Sequence, residues 1–279
     1  MIALVITSGF MVVEVIGGVL SGSLALLADA GHMLTDSMAL ALAALAFHVS
    51  NRPADQRRTF GYQRSQVIAA FANGLTLLFV VGWIIVEATM RLFDPPEVAG
   101  PLMLGVAFAG LLVNIASFAV LHGGDQDNLN IRGAALHVAG DLLGSVAAIV
   151  AAVVIIYTGW LTIDPLLSFA VAALILKSAW TLIRKSANVL LEGAPEWLDE
   201  DAMRQRLVSS IPEVQDIHAV HVWGLTPQHL ILTMHIQLAN PGADLTGTVR
   251  RAKELLHAEY GIGHSTIEVE FDRCSDGRC

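Results

Sequence analysis

The sequence predicts a membrane domain of six helical spans followed by a small acidic α+β domain whose elements run α-β-β-α-β. Three observations carry this. Of 279 residues, 54% are apolar and 15% charged, with a mean hydropathy of +0.62; an average soluble domain is about 25% charged. The charge is uneven: residues 1–185 hold 11 acids and 9 bases, whereas residues 186–279 hold 14 acids and 7 bases, a net -7. The apolar runs of the first part are long enough to cross a bilayer, which takes about 20 residues. The expected domains are therefore a membrane domain over 1–185 and a soluble domain over 186–279. A formal net charge of -9 supplies no basic footprint for nucleic acid. The two cysteines, Cys274 and Cys279, fall in the last six residues, which excludes a disulfide scaffold.

The spans are expected at 2–20, 24–49, 66–92, 99–121, 130–158 and 161–183. Polar or helix-breaking segments separate them: Ser21-Gly22-Ser23, the Asn51–Arg64 segment, Asp94-Pro95-Pro96, His122–Asn128 and the turn at Gly159. The first run has no basic start and no small-residue cleavage site, so it is read as a span rather than a signal peptide. Orientation follows from Lys and Arg in the short connections. Arg52, Arg57, Arg58, Arg64, Arg132, Arg184 and Lys185 lie on one side and Arg91 on the other. Both termini and the acidic domain are thus expected in the cytoplasm, where Cys274 and Cys279 would be thiols.

Ionisable side chains at membrane depth are costly and so mark function. The second span reads Asp29-Ala-Gly-His32-Met-Leu-Thr-Asp36 and the fifth His137-Val-Ala-Gly-Asp141. Each carries His-x-x-x-Asp, and residues four apart share one helical face. Where two such faces meet, they offer two imidazoles and two carboxylates. That set suits tetrahedral Zn²⁺ and cancels its charge, whereas Cu(I) prefers sulfur and Mg²⁺ or Ca²⁺ oxygen. Asp29 shares the face of His32 and is either a vestibule charge or a solvated one. Glu14, Asn114 and Asp164 also fall at span positions, and Asp164 suits the start of its own helix.

In the second part, helices are expected at Asp199–Ile211 and at Asp244–Tyr260, the latter stopped by Gly261. Strands are expected at Ile217–Leu225, Leu230–Leu238 and Thr266–Phe271, with Pro227 in the hairpin loop. The last strand alternates Ile267, Val269 and Phe271 inward with Glu268, Glu270 and Asp272 outward. By the same alternation His221 faces opposite to His218; the simplest reading of His229, His257 and His264 is as surface residues.

The run from Gly22 to Asp36 (GSLALLADAGHMLTD), Arg58-Thr-Phe-Gly-Tyr62, His137–Asp141 and Asp164-Pro165, with a tail of some 90 residues, together resemble the cation diffusion facilitator family of zinc/proton antiporters. The resemblance implies an all-α six-helix membrane bundle with a cytoplasmic ferredoxin-like α+β domain, working as a homodimer. It implies a transport site at His32, Asp36, His137 and Asp141, and the zinc-preferring branch. It also implies a regulatory zinc site in the tail at His218, His235 and Asp272, with Glu270 where relatives carry another histidine; Cys274 and Cys279 are a further possible pair of ligands. Arg64 and Glu192 match positions at which relatives link the two domains by a charge pair. Relatives that bind a second metal between spans two and three use an acid and two histidines. Asp55, Arg58 and Tyr62 stand there instead, so that site is expected to be absent. The loop His122–Asn128 has one histidine where relatives are histidine-rich, and reads as a solvated turn.

The expected function is export of Zn²⁺ in exchange for protons by alternating access. Proton and metal would compete for the same imidazole nitrogen, whose reference pKa is near 6.5. No Gly-rich ATP-binding motif is present in the sequence. Export of Cd²⁺, Co²⁺ or Fe²⁺ and a non-transporting membrane zinc sensor are the alternatives. An intramembrane metalloprotease would need a motif such as His-Glu-x-x-His, which the chain lacks, so no enzyme is expected. The expected partners are a second copy, the lipid bilayer, Zn²⁺ and protons, without nucleic acid, in a bacterial inner (plasma) membrane.

Overall fold

A computed structural model describes the backbone of residues 2–122 and 129–271, and all their side chains except those of 2–8, 36, 39, 40, 43, 120–122 and 129–140. Six long helices come first: α1 Ile2–Ser21, α2 Leu24–Ser50, α3 Arg64–Phe93, α4 Gly100–His122, α5 Leu129–Thr158 and α6 Ile163–Leu190. Then follow α7 Glu200–Ser210, β1 Val214–Thr226, β2 His229–Leu238, α8 Leu245–Tyr260 and β3 His264–Glu270. Among the described residues, Arg64–Phe93, Gly100–Ala119, Asp141–Thr158 and Ile163–Leu190 are long and apolar enough to cross a membrane, while Gly9–Ser21 and Leu24–Thr35 are shorter apolar stretches. The chain forms two compact units: one of Met1–Ala44 with Ala69–Ile183, the other of Leu45–Ile68 with Arg184–Cys279.

In the first unit α2 is buried on two sides. Ala25 and Leu26 pack with Phe10, Met103, Val106, Ala148 and Ala152 of α1, α4 and α5. Ala28 packs with Leu77, Ile84, Ala172 and Ile175 of α3 and α6. Alanines make up eight of the 17 buried residues of these two clusters, as expected where helices in lipid gain nothing from hiding apolar surface and associate by close backbone approach. Phe79, Leu143 and Leu174, each more than 70% exposed, present the apolar exterior that lipid requires.

The sequence places Asp164 at the start of its own helix; its carboxylate instead caps a different one. Oδ1 accepts from the Ser23 hydroxyl at 2.5 Å and from the Ala25 N–H at 3.2 Å, and Oδ2 from the Leu24 N–H at 2.8 Å. Asp164 is fully buried and satisfies N–H groups that the first turn of α2 cannot pair internally. Helix α6 also runs seven residues past the expected end at 183. Ser186, Ala187 and Asn188 continue it until Glu192, at φ 60°, and Gly193 turn the chain.

In the second unit, Asp199 caps α7 by accepting from the Ala202 N–H, Asp244 caps α8 by accepting from the Gly247 N–H, and Gly261, at φ 66°, ends α8 in the left-handed conformation. The sheet has the order β1-β2-β3, with β1 and β2 antiparallel and β2 and β3 parallel. A parallel neighbour needs a crossover, which α8 supplies. One sheet face joins α7 and α8 in a core of Met203, Leu207, Ile217, Leu232, Ile236 and Leu256, all at most 1% exposed.

Strand β1 carries a bulge. His218 pairs with His235 but His221 pairs with Thr233, so three steps on β1 match two on β2. The extra residue lies in the segment containing Ala219, at φ 49°. This overturns the alternation expected from sequence: His221 shares the face of His218, because Thr233 and His235 lie two residues apart on one face.

Candidate metal centres

In the membrane unit α2 carries His32 and Asp36 and α5 carries His137 and Asp141. Asp141 is buried and His32 half-buried; the side chains of Asp36 and His137 lie outside the described residues. Among the described residues, a close approach of the two helices lies beside these motifs. The Asp29 carboxylate lies against Gly144, where a β-carbon would stand 3.7 Å from Oδ1. Asp29 is three residues from His32 and Gly144 three from Asp141, so both share the helical faces of the motifs. Glu14 of α1, buried in the same region, feels the charges of Asp29 and Asp141. Asn114 of α4 donates to the Ser145 hydroxyl at 3.2 Å. Glu14 and Asn114, which the sequence left without a role, thus belong to the polar interior around α5.

The outer face of the sheet holds a second constellation. His218 and His235 stand directly opposite on β1 and β2, with ring centroids 5.5 Å apart. Glu270, at the end of β3, reaches both: Oε2 is 3.1 Å from His218 Nε2 and Oε1 is 3.0 Å from His235 Nδ1. The donor atoms of the three residues lie within 4.8 Å of one another. Asp216 Oδ2 lies 3.3 Å from His218 Nδ1, and Glu268 Oε2 3.7 Å from His235 Nε2. Alternation gives Glu270 its side of the sheet but not its burial: it is 5% exposed because two imidazoles cover it. A buried carboxylate between two imidazoles is a donor set that Zn²⁺ fits, with nitrogen and oxygen ligands and a compensating charge. Asp272, Cys274 and Cys279 lie outside the described residues.

The connection between α2 and α3 folds on itself. Asp55 Oδ1 accepts from the Arg57 and Arg58 N–H groups at 2.8 and 2.7 Å, and Oδ2 from the Tyr62 hydroxyl at 2.7 Å. The hydrogen bond from Tyr62, followed by those from the backbone, holds its carboxyl below the usual aspartate range. Arg58 donates to the Tyr62 hydroxyl, and its guanidinium carbon sits 4.7 Å from the centre of that ring. Arg64 and Glu192 form an ion pair at 2.9 Å. Phe60 meets the His264 ring edge-on, centroids 5.7 Å apart, and His264 is exposed, as the sequence reading expects.

Apolar helices carrying paired ionisable motifs, followed by a sheet domain with a histidine–carboxylate cluster, define a class of membrane proteins that handle metal cations. The model for the cation efflux transmembrane domain matches residues 1–191, and that for the cytoplasmic domain of cation efflux proteins matches 195–272. The chain belongs to the cation efflux, or cation diffusion facilitator, family. It is thus an integral membrane protein of a transporter family. It is 50% identical to the zinc transporter ZitB of Pectobacterium atrosepticum over 99% of this chain and 86% of that one. It is 49% identical to ZitB of Escherichia coli, covering 98% and 87%. A Bacillus subtilis relative described as a cadmium, cobalt and zinc/H(+)-K(+) antiporter is 40% identical, covering 98% and 88%.

Proposed function

We propose that this protein exports Zn²⁺ from the bacterial cytoplasm across the inner membrane in exchange for protons, through a site of His32, Asp36, His137 and Asp141. The approach of Asp29 to Gly144 carries this reading. Spans two and five cross the membrane in opposite directions. With a rise of 1.5 Å per residue, His32 and Asp141 each stand about 4.5 Å along their helices from that contact, and Asp36 and His137 each about 10.5 Å. This spacing supports reading the four residues as ligands at two matching levels along α2 and α5. The names of the relatives support zinc and proton exchange for this chain by similarity.

Each residue has a task. Asp36 and Asp141 neutralise the doubly charged cargo where unpaired charge is costly. His32 and His137 bind it as neutral imidazoles and take up protons as it leaves, which couples the two flows. The short-loop arginines support cytoplasmic termini. His218, His235 and Glu270 would hold a regulatory zinc ion in a homodimer: the imidazoles supply nitrogen donors and Glu270 a compensating charge. Zinc flux into proteoliposomes, with and without a pH gradient, tests the proposal. Wild type is expected to give gradient-driven flux, and Asp141→Ala in a folded protein to lose it by at least two orders of magnitude, since a cation stays short of a ligand and a charge. Flux indifferent to the gradient, or a fully active Asp141→Ala, refutes it.

A further inference from the structure

The connection over residues 51–63 holds Arg52, Arg57 and Arg58, Arg64 opens α3, and Asp55 is the only acid in the connection. Asp55, whose oxygens accept from two backbone N–H groups and the Tyr62 hydroxyl, offsets one of these four charges and leaves a net +3. Arg57, Arg58 and Arg64 line a cleft of about 580 Å³ in which Glu192 is the only carboxylate among the described residues. Among the described residues Arg57 makes no ion pair. The rest of the wall includes Phe60, Trp223 and Ile68, and Ile68, one turn into the spanning helix α3, is 57% exposed. Net positive charge beside an exposed apolar wall, in a volume typical of small-ligand sites, fits an amphipathic anion. Because the connection joins two consecutive spans, it lies at the bilayer surface. Basic side chains there attract anionic lipid.

We propose that this cleft binds the headgroup of an anionic phospholipid, its phosphate between Arg57 and Arg58 and its glycerol and upper acyl chain against Phe60 and Ile68. A zwitterionic headgroup gains less, since its own ammonium offsets its phosphate. Bound lipid would also bring a negative counter-charge to a loop that follows α2 directly. The proposal stands apart from the transport site, and its test does not read transport.

The test is native mass spectrometry of the full chain in neutral detergent with added phosphatidylglycerol or phosphatidylcholine. Wild type should retain phosphatidylglycerol in preference, and Arg57→Gln should weaken it about fivefold, the typical worth of one interfacial basic residue. Arg57→Gln/Arg58→Gln should abolish the preference, while Arg184→Gln, an equal charge change elsewhere, should keep it. If the double variant melts much lower than wild type in phosphatidylcholine, the single variant decides, because Arg57 gives only its backbone N–H to the Asp55 turn. Equal retention by wild type and Arg57→Gln overturns the proposal. So does displacement of phosphatidylglycerol by millimolar inorganic phosphate, which would assign the cleft to a soluble anion.

Discussion

Asp164 shows how a single residue can hold a helix to which it does not belong. It belongs to α6 but completes the first turn of α2, the helix that carries His32 and Asp36. Asp164→Ala leaves two N–H groups and the Ser23 hydroxyl without their acceptor in a buried place. Hydrogen bonds to a charged acceptor are worth about 1.5–3 kcal/mol each and are not additive, so the expected loss is about 2–4 kcal/mol. A thermal melt in detergent measures it. Zinc flux should fall with it as the start of α2 loosens, and Asp164→Asn, which keeps an acceptor, should be milder on both counts. A melt and flux equal to wild type would show that the cap is dispensable. The paired His-x-x-x-Asp motifs were legible in the sequence itself, and the family resemblance implied His218 and His235 as partners. The reach of Asp164 to another helix was not, because a cap supplied from 140 residues away leaves no local pattern. The burial of Glu270 was also hidden, since it depends on side chains of two other strands.

At the scale of elements, the helices and strands were legible because period and punctuation agree in each. Asp199, Asp244 and Gly261 mark helix ends in the sequence and cap them in the structure. The bulge in β1 was not, because the residue with positive φ there is alanine, where a glycine would have signalled it. The two tail helices and the strand entry are braced by ion pairs. Arg206 of α7 grips Glu259 of α8 with distances of 2.6–3.1 Å, and Arg251 of α8 reaches Glu213 ahead of β1 at 2.6 Å. Its hydrogen bond to Arg206 holds Glu259 below the usual glutamate range; Glu213 is lowered first by its own backbone N–H and then by Arg251. Both folded pKa values lie below the unfolded ones. Their contribution is therefore present above the ordinary glutamate value of 4.5 and is lost as pH falls through the lower folded values. Melts between pH 3 and 7 should show stability falling at the acid end. Arg206→Gln/Arg251→Gln should flatten that slope while changing little of the secondary structure. An identical acid slope in the variant would mean that the braces are fully screened by solvent, as exposed pairs often are.

For the whole molecule, the asymmetry of charge sets the behaviour of the tail. Residues 186–279 carry a net -7, so two copies in the proposed homodimer would repel each other. The repulsion acts over a screening length of about 8 Å at physiological salt and about 30 Å at 0.01 M. Zinc held by His218, His235 and Glu270 would add two positive charges per copy on the outer face of each sheet, where Glu270 contacts both imidazoles. Full-length protein in nanodiscs, labelled once per tail for distance measurement, should therefore show the two tails drawing together as Zn²⁺ is added. The shift should be larger at 0.01 M than at 0.15 M salt. In His218→Ala/His235→Ala/Glu270→Ala the shift should be lost and fewer ions should bind by calorimetry. Transport should slow but persist, because the proposed ligands His32, Asp36, His137 and Asp141 are untouched. Glu270 belongs in this variant because it is the carboxylate that both imidazoles contact. If the variant binds as many ions as wild type with the same affinity, the sheet face is not the sensor. The search then moves to Asp272, Cys274 and Cys279, beyond the end of β3.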